Sequence, residues 1–203
     1  MSRPLFQVMK PGLLTTLQDL GRTGYQEFGM VVAGAMDNYA LQIGNLLVGN
    51  DKGETALEVT IMGPELKALE DVVVAICGGN LSPKVNGKQA PMWKSFKVKK
   101  GELIEFGRPV EGARSYICVE GGLDVPVVMG SKSTYLKAQI GGFQGRALEK
   151  DDVLYGEPLN EATTGRSIHP DEIPSYKKEI EIRVCLGPHL DAFHESSVET
   201  FLS

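Results

Sequence analysis

Twenty-four glycines interrupt a series of short runs rich in β-branched residues, and this spacing constrains the fold more than any other feature of the sequence. Turn-forming residues recur roughly every ten positions, and long periodic helices are absent. The pattern predicts an all-β or mainly β architecture. The candidate strands are Leu57–Met62, Leu66–Leu69, Val72–Cys77, Pro83–Val85, Gln89–Met92, Ser95–Val98, Leu103–Phe106, Ser115–Val119 and Ile180–Leu186.

Two local patterns add a hairpin and a helix to these strands. Asn86-Gly87 lies between two short runs, and both residue types accept the positive φ of a type I′ turn. In the helix, Asp37 is suited to cap the first turn and Gly49-Asn50 to end the last one. We therefore expect one amphipathic helix that packs across a sheet or closes a barrel mouth. Its apolar face comprises Ala40, Ile43, Gly44 and Leu47.

Composition divides the chain into three parts. Residues 1–156 carry most of the strand-like runs and are predicted to form one lobe. Residues 157–179 are polar and are predicted to be a linker or a long surface connection. Residues 180–203 are too few for a core of their own, and Ser196-x-x-Glu199 is typical of a capping box that opens a helix, so we expect a truncated second lobe. The linker prolines are Pro158, Pro170 and Pro174.

Charge and hydropathy narrow the classes of partner. The net charge is −5, without a dense stripe of Lys and Arg, so nucleic acid is not an expected partner. The N-terminus lacks the apolar segment of a secretion signal, and the longest purely apolar run, Val72–Cys77, is far shorter than a membrane span. We therefore expect no membrane association and a cytoplasmic location.

The cysteines and histidines do not predict a metal site. Cys77, Cys118 and Cys185 share no metal-type spacing, and each closes an apolar stretch, so we expect buried, reduced thiols. The three histidines lie in the linker or the last segment and are expected to be solvated. The chain contains no Walker loop, no dinucleotide-binding glycine motif, no H-E-x-x-H and no G-x-S-x-G.

The densest polar segment runs from Pro11 to Tyr25 and contains Gln18, Asp19 and Arg22 among turn-forming glycines. Residues of this kind line pockets for small polar substrates, and a planar guanidinium binds a carboxylate or phosphate with two parallel hydrogen bonds. The alternative is that Asp19 and Arg22 form an ion pair that braces a glycine-rich loop.

Two acidic residues are candidates for acid or base chemistry. Asp37 either caps the helix or accepts a substrate N–H. Strand alternation places Glu58 on the face opposite Leu57 and Val59, where it is a functional acid if that face lines a cleft and an ordinary surface residue if it faces water.

A second glycine-rich region supplies hydroxyl groups and another arginine. Ser131, Ser133 and Thr134 are candidate pocket hydroxyls or plain loop hydrogen bonders. Their Gly-Ser-Lys-Ser-Thr run lacks the strand and helix context of a phosphate-binding loop. Arg146 is expected to pair either with a substrate anion or with Asp151 or Asp152.

The motifs, taken in order, resemble the KipA / allophanate hydrolase subunit 2 family, whose members include the C subunit of 5-oxoprolinase. The resemblance extends over nearly the whole chain. At one position it fails, because Leu136-Lys-Ala-Gln139 stands where the family has Thr-Arg-Ala-Gly. The matching segments are Pro11–Arg22, Gly34–Asp37, Asn45–Asn50, Ala56–Glu58, Gly63-Pro64, Arg114–Pro126, Gly130–Thr134, Gly141–Arg146 and Ile182–Pro188.

The resemblance implies a cyclophilin-like β-barrel with one or two short helices. It further implies a complex with two partner proteins, one KipI-type and one LamB/YcsF-type, that uses ATP to open 5-oxoproline to glutamate and in which this chain is inactive alone. The small-molecule substrate would carry a carboxylate and an amide. Two alternatives are a regulatory antagonist of KipI, which inhibits a sporulation kinase, and the carboxyltransferase half of a biotin-dependent urea carboxylase. The matched residues are expected to line the cleft: Asp37 and Glu58 as catalytic groups, and Gln18, Asp19, Arg22, Ser131, Ser133, Thr134 and Arg146 as substrate-binding groups.

Overall fold

The computed structural model describes residues 2–157, 164–177 and 179–203, and it places eleven strands and two α-helices in them. In chain order these are β1 (Arg3–Lys10), β2 (Leu14–Gln18), α1 (Asn38–Val48), β3 (Ala56–Thr60), β4 (Glu65–Ala68), β5 (Val72–Asn80), β6 (Pro83–Val85), β7 (Lys88–Gln89), β8 (Ser95–Val98), β9 (Leu103–Phe106), β10 (Glu111–Val119), β11 (Val153–Gly156) and α2 (Glu195–Leu202).

The strands form two antiparallel sheets. One has six strands in the order β11-β1-β4-β9-β6-β7, and the other has five in the order β2-β3-β10-β5-β8. Neither order returns to its first strand, so the described strands do not close into a single ring. The prediction of a mainly β fold is confirmed.

The main apolar core includes residues from both sheets. Strand alternation in β3 directs Leu57 and Val59 into it, where they join Leu17 of β2 and Phe6 and Val8 of β1. These five side chains are fully buried. The opposite face of the five-stranded sheet does not contribute to this core and must be covered by another element.

Helix α1 covers that opposite face. It packs against Cys77, Tyr116 and Cys118 in a second apolar cluster. Gly44 allows the close approach, because a Cβ at this position would lie 2.5 Å from the Cys118 sulfur. Burial raises the pKa of the Cys77 and Cys118 thiols, which are unbridged, as predicted.

The helix and the hairpin predicted from sequence are confirmed. Asp37 caps α1, since its Oδ1 accepts the N–H of Ala40 at 2.9 Å, and Gly49 ends the helix at φ 85°. Asn86 and Gly87 have φ values of 49° and 76° and connect β6 to β7. The left-handed conformation that a type I′ turn requires is thus present at both residues.

Several strand predictions need correction. Strands β1, β2 and β11 were not predicted, and the strand expected at Gln89–Met92 is reduced to β7. No strand forms at Ile180–Leu186. The side chains of this stretch are exposed, and its backbone pairs with neither sheet. An apolar run becomes a strand only when a neighbour supplies hydrogen bonds.

The last segment departs from prediction in two further ways. Cys185 is exposed rather than buried, because the stretch around it packs on no core. Helix α2 begins at Glu195 after His194, without a side-chain cap, so Ser196 lies inside the helix rather than opening it. The three-part division of the chain stays a prediction.

Residues 158–163 and 178 of the predicted linker, Pro158 among them, lie outside the described residues. Residues 164–177 return to the lobe and contact β8, α1 and β10. Within the described ranges, no helix has both the length and the apolar character that a membrane crossing requires.

Candidate functional site

Most of the predicted site residues meet on the α1 side of the five-stranded sheet, at its β2 edge. The register aligns Thr16 of β2 with Glu58 of β3, and Glu58 with Tyr116 of β10. Gln18 lies on the same face, two positions beyond Thr16, and its Nε2 donates to the Thr16 hydroxyl at 3.0 Å. A polar row therefore crosses three strands on a face that is otherwise apolar.

Asp19 organises the loop that carries the predicted hydroxyl groups. Its Oδ1 accepts hydrogen bonds from the hydroxyls of Ser131, at 2.7 Å, and Ser133, while Oδ2 accepts the N–H of Lys132 at 2.6 Å. The N–H of Gly21 also donates to Oδ1, at 2.7 Å. The carboxylate is only 7% exposed, so these donors replace the water that it would otherwise bind.

Arg22 is enclosed beside the same loop. Its side chain is 1% exposed, and its Nη2 donates to the carbonyl of Ser133. The Nε and Nη1 groups have no hydrogen-bond partner, and no ion pair joins this residue to Asp19 in the described structure. The ion pair considered as an alternative is therefore absent, and a buried guanidinium is left with two free donors.

Gln18 adds an unpaired acceptor close to these donors. Its Nε2 donates to the Thr134 carbonyl at 3.3 Å, next to the Ser133 carbonyl that binds Arg22. Its Oε1 is buried without a partner. Thr134 itself donates its hydroxyl to the Leu17 carbonyl at 2.9 Å, so it fastens the loop to β2.

Glu58 and Asp37 belong to a second hydrogen-bonded group. Glu58 is 9% exposed, and its Oε2 accepts from the Tyr116 hydroxyl at 2.7 Å and the Met36 N–H at 2.8 Å. Its Oε1 lies 3.3 Å from Nε of Arg114. The Tyr116 hydroxyl also accepts the N–H of Asp37 at 2.8 Å, so one phenol bridges the two acids. Glu58 thus lies on a covered face rather than in open water.

Asp37 is held at both carboxylate oxygens. Oδ1 caps α1, and Oδ2 accepts from the Tyr176 hydroxyl at 2.7 Å. Burial raises the pKa of Tyr116 and of Tyr176, and the neighbouring carboxylates raise it further. Both phenols therefore stay protonated across the physiological range and act as donors to the acids.

The two groups are joined by the segment 35–37. The N–H of Ala35 donates to the Asp19 carbonyl at 2.9 Å, and the next N–H, that of Met36, binds Glu58. We call residues 131–134 and Asp19, whose carboxylate they surround, the Asp19 loop, and we call Asp37 and Glu58 the acid pair. Both therefore contact one short stretch of backbone.

In the described structure, Arg146 forms no hydrogen bond or ion pair with the other predicted site residues. Its guanidinium forms a bidentate ion pair with Asp152, at 2.7 and 2.8 Å. Burial alone would raise the pKa of Asp152, but hydrogen bonds from Arg146 and the Glu149 N–H lower it below its ordinary value. The structure thus favours the pairing alternative for Arg146, and a substrate contact by this residue stays a prediction.

The Gly-Ser-Lys-Ser-Thr loop does not suit a triphosphate. Its Ser131 and Ser133 hydroxyls and the Lys132 N–H face the Asp19 carboxylate, and Lys132 Nζ lies 2.7 Å from Glu54. Carboxylates already occupy the donors that phosphate oxygens would need. The described residues also contain no group of three or more His, Cys, Asp or Glu side chains placed to hold a metal ion.

Sequence inspection missed four residues of this arrangement. Tyr116 appeared only as part of a predicted strand, and Arg114 only as the first residue of a family-like segment. Tyr176 fell in the predicted linker, and Lys132 was not singled out from the serines beside it. The alternation of β10, which puts Arg114 and Tyr116 on the face shared with Glu58, was the one available signal.

Comparison with known sequences identifies the family. The profile described as "Carboxyltransferase domain, subdomain A and B" matches residues 28–203. The urea amidolyase of Saccharomyces cerevisiae is 37% identical over 97% of the chain, and the 5-oxoprolinase C subunit of Escherichia coli is 35% identical over 97%. The chain spans 11% of the first relative's length and 62% of the second's.

Solved structures agree with the sequence comparison. The urea amidolyase of Kluyveromyces lactis superposes with a TM-score of 0.80 and 34% identity, covering 98% of this chain and 13% of that one. The urea carboxylase of the same yeast gives the same TM-score and identity, covering 19% of its own length. From its sequence and its fold, the chain belongs to the carboxyltransferase domain, subdomain A and B, family.

Proposed function

We propose that this chain is the C-type subunit of an ATP-dependent 5-oxoprolinase, inactive alone, in which it helps to open 5-oxoproline to glutamate. The proposed partners are a KipI-type protein and a LamB/YcsF-type protein, in the cytoplasm. The proposal is supported by two relatives that are C subunits of 5-oxoprolinase, from Escherichia coli and Haemophilus influenzae, which are 35% and 37% identical. ATP is assigned to the assembly rather than to this chain, whose serine loop is occupied by carboxylates.

The observation that carries the proposal is the incompletely paired guanidinium of Arg22, whose Nε and Nη1 have no hydrogen-bond partner. A buried charge without a full set of partners costs several kcal/mol, so its free N–H groups favour an oxyanion. The substrate 5-oxoproline offers a carboxylate for these donors, and its ring N–H suits the unpaired Oε1 of Gln18. The side chain is enclosed, so the ligand reaches it only when the covering loop moves.

Asp37 and Glu58 are the proposed acid and base groups. Opening the lactam breaks the C–N bond, adds the oxygen of water to the carbonyl carbon and delivers a proton to the nitrogen. Asp37 ends segment 35–37, and Glu58 accepts the N–H of Met36 within it. In this proposal one of them orients the amide and the other exchanges the proton.

A carboxyltransferase role in a urea carboxylase is the second candidate. It is favoured by the 37% identity to urea amidolyase and by the TM-score of 0.80 to the yeast enzymes. Urea also presents a carbonyl oxygen beside N–H groups, and the same Arg22 and Gln18 atoms suit it. This role requires a biotinylated partner. The regulatory role as a KipI antagonist stays a prediction.

The first test is coupled turnover of 5-oxoproline and ATP. Full-length protein is mixed with its KipI-type and LamB/YcsF-type neighbours, and each of the three is omitted in turn. We expect turnover only with all three. Tight association without turnover would overturn the oxoprolinase proposal and favour the regulatory alternative.

The same preparation separates the carboxyltransferase candidate. Biotinylated proteins that copurify with this chain are added, urea and bicarbonate replace 5-oxoproline, and avidin is used to sequester biotin. Urea-dependent turnover that avidin abolishes would establish the second candidate. Lactam turnover that ignores avidin and bicarbonate would exclude it.

A further inference from the structure

Residues 164–177, which we call the strap, lie against the α1 side of the lobe. At one end the strap pairs with the edge strand β8, where the Ser95 N–H donates to the Arg166 carbonyl at 2.8 Å and the Gly165 N–H donates to the Ser95 carbonyl at 2.9 Å. A further bridge joins Lys94 to Ser167. The strap therefore extends the five-stranded sheet over a few residues.

The other end of the strap is fixed at α1 and at β10. The Tyr39 hydroxyl donates to the Glu172 carbonyl at 2.9 Å, and the Tyr176 N–H donates to Oε1 of Glu111 at 2.6 Å. These contacts, together with those at β8, hold the strap through atoms other than the Tyr176 phenol. The phenol hydroxyl is therefore free to serve another purpose.

That hydroxyl reaches Asp37 across the start of α1. Oδ1 of Asp37 is fixed by the Ala40 N–H, and Oδ2 by Tyr176 at 2.7 Å. Two fixed oxygens set the plane of a carboxylate, whereas the cap alone leaves it free to tilt about one hydrogen bond. Tyr116 does for Glu58 what Tyr176 does for Asp37, since each phenol donates to one acid.

We propose that Tyr176 is a positioning residue for Asp37: when the strap is docked, the Tyr176 hydroxyl fixes the orientation of the Asp37 carboxylate. The inference rests on the proposed function, because Asp37 matters for catalysis only if the lactam is opened beside it. Tyr176 touches no substrate in this scheme and acts through the carboxylate alone. An acid aligned by a neighbouring donor loses rate rather than affinity when that donor is removed.

The test compares Tyr176→Phe with Tyr39→Phe in full-length protein assembled with its two partner proteins. Both variants remove one strap hydroxyl contact, but only the first removes a donor to Asp37. We expect Tyr176→Phe to lower kcat for 5-oxoproline about tenfold with KM within about twofold, since the lost hydrogen bond involves a charged acceptor. Tyr39→Phe should leave both constants within about twofold of the unmodified protein.

Docking of the strap is followed separately with Trp93, the single tryptophan of the chain. This side chain is 5% exposed and belongs to the apolar cluster that Ile168 of the strap joins. Acrylamide quenching should stay unchanged in Tyr176→Phe if the strap remains docked. A rise in quenching together with a fall in kcat would mean that the phenol only holds the strap, which overturns the proposal.

A double-mutant cycle measured by unfolding tests the hydrogen bond between Tyr176 and Asp37 even if the assembly does not open the lactam. Asp37→Asn keeps a good helix cap and weakens the acceptor of Tyr176. The unfolding equilibrium constants of Tyr176→Phe, Asp37→Asn and the double variant should deviate from additivity by about threefold or more. If the unmodified assembly does not open the lactam, the proposed function fails and this coupling alone decides whether the phenol holds the carboxylate. Additive effects, or an unchanged kcat in an active assembly, would overturn the positioning role.

Discussion

The Asp19 loop and the acid pair are both buried polar groups on one face of one sheet, but they differ in completeness. Each carboxylate oxygen of Asp37 and Glu58 has a hydrogen-bond or ion-pair partner, through Tyr116, Tyr176, Arg114 and backbone N–H groups. One buried donor on this side, Nε of Arg114, lies 3.3 Å from Glu58 without forming a hydrogen bond. Around Asp19 the carboxylate is satisfied as well, but the adjoining Arg22 and Gln18 keep three buried polar atoms without a partner.

This difference separates two roles that composition alone does not distinguish. A satisfied buried network stabilises the fold and fixes its own side chains. An unsatisfied one lowers stability, so a ligand or partner that completes it gains affinity from the mismatch. The Arg22 side of the site is therefore expected to bind, and the acid side is expected to hold its groups in place.

The largest expected effect comes from Arg22→Met. Removing the free donors should lower kcat/KM for 5-oxoproline in the complete assembly about 100-fold, because a buried charge pair with the substrate is lost. The free energy of unfolding of the full-length chain should stay the same or rise by about 1 kcal/mol, because an incompletely paired buried charge is replaced by an apolar side chain. Steady-state kinetics and urea unfolding provide the two measurements.

Arg146→Met is the control variant for the unfolding measurement on Arg22→Met. Its guanidinium is fully engaged with Asp152, so its loss should destabilise the chain by about 1 kcal/mol. If Arg22→Met destabilises the chain as much or more, Arg22 has partners in the folded protein and the contrast between the two clusters fails.

Gly141→Ala probes how closely the loop covers Arg22. Gly141 has a φ of 68°, and a Cβ there would lie 2.2 Å from the carbonyl oxygen of Ser133 and 2.7 Å from Nη2 of Arg22, which donates to that oxygen. Gly130 has a φ of 73° and no atom within 4 Å of the same Cβ position, so Gly130→Ala carries only the backbone strain. We expect Gly141→Ala to lower the free energy of unfolding by about 2 kcal/mol more than Gly130→Ala, as measured in urea. Equal losses would show that the backbone at Gly141 shifts easily and confines neither the Ser133 carbonyl nor the Arg22 side chain bonded to it.

Tyr116→Phe tests the satisfied side of the comparison. The hydroxyl serves both the Asp37 N–H and the Glu58 carboxylate, and the side chain is fully buried. Its removal should lower the free energy of unfolding by about 1.5 kcal/mol, because a charged group loses its donor. Tyr39→Phe, whose hydroxyl bonds a carbonyl near the surface, should cost less than about 0.5 kcal/mol. A loss no larger than this control would mean that water replaces the phenol and that the acid pair is not a closed network.

The sequence predicted much of the unsatisfied cluster and little of the satisfied one. Asp19, Ser131 and Ser133 stand in motifs that resemblance brings together, and the structure joins them across more than a hundred residues. Glu58 and Tyr116 meet because two strands share a register, which sequence patterns do not specify.

The role of Tyr176 could not be predicted from the sequence for a related reason. It lies in a polar, proline-rich segment whose composition predicts a linker, and its contact with Asp37 spans 139 positions. The prediction of a strand at Ile180–Leu186 was wrong for the converse reason. The run is apolar, but no neighbouring strand is available to pair with it. Local patterns thus predicted the helix cap and the hairpin, whereas contacts set by packing had to come from the structure.

The smallest expected effect is the pH dependence of the ion pair between Arg146 and Asp152. Hydrogen bonds from Arg146 hold the pKa of Asp152 below its ordinary value of 3.8 in the folded protein, so the folded state favours the ionised form. The pair therefore contributes fully above the unfolded value, and its contribution is lost as the pH falls through the folded value. Asp152→Asn should cost about 1 kcal/mol from pH 7 down to about pH 4, and progressively less below it. The exposed neighbour offers a matched charge change in Asp151→Asn, which should cost less than about 0.5 kcal/mol at every pH. A loss in Asp152→Asn that persists unchanged at low pH would mean that Asp152 acts through packing, and Arg146 would then be free to bind an anion as the sequence suggested.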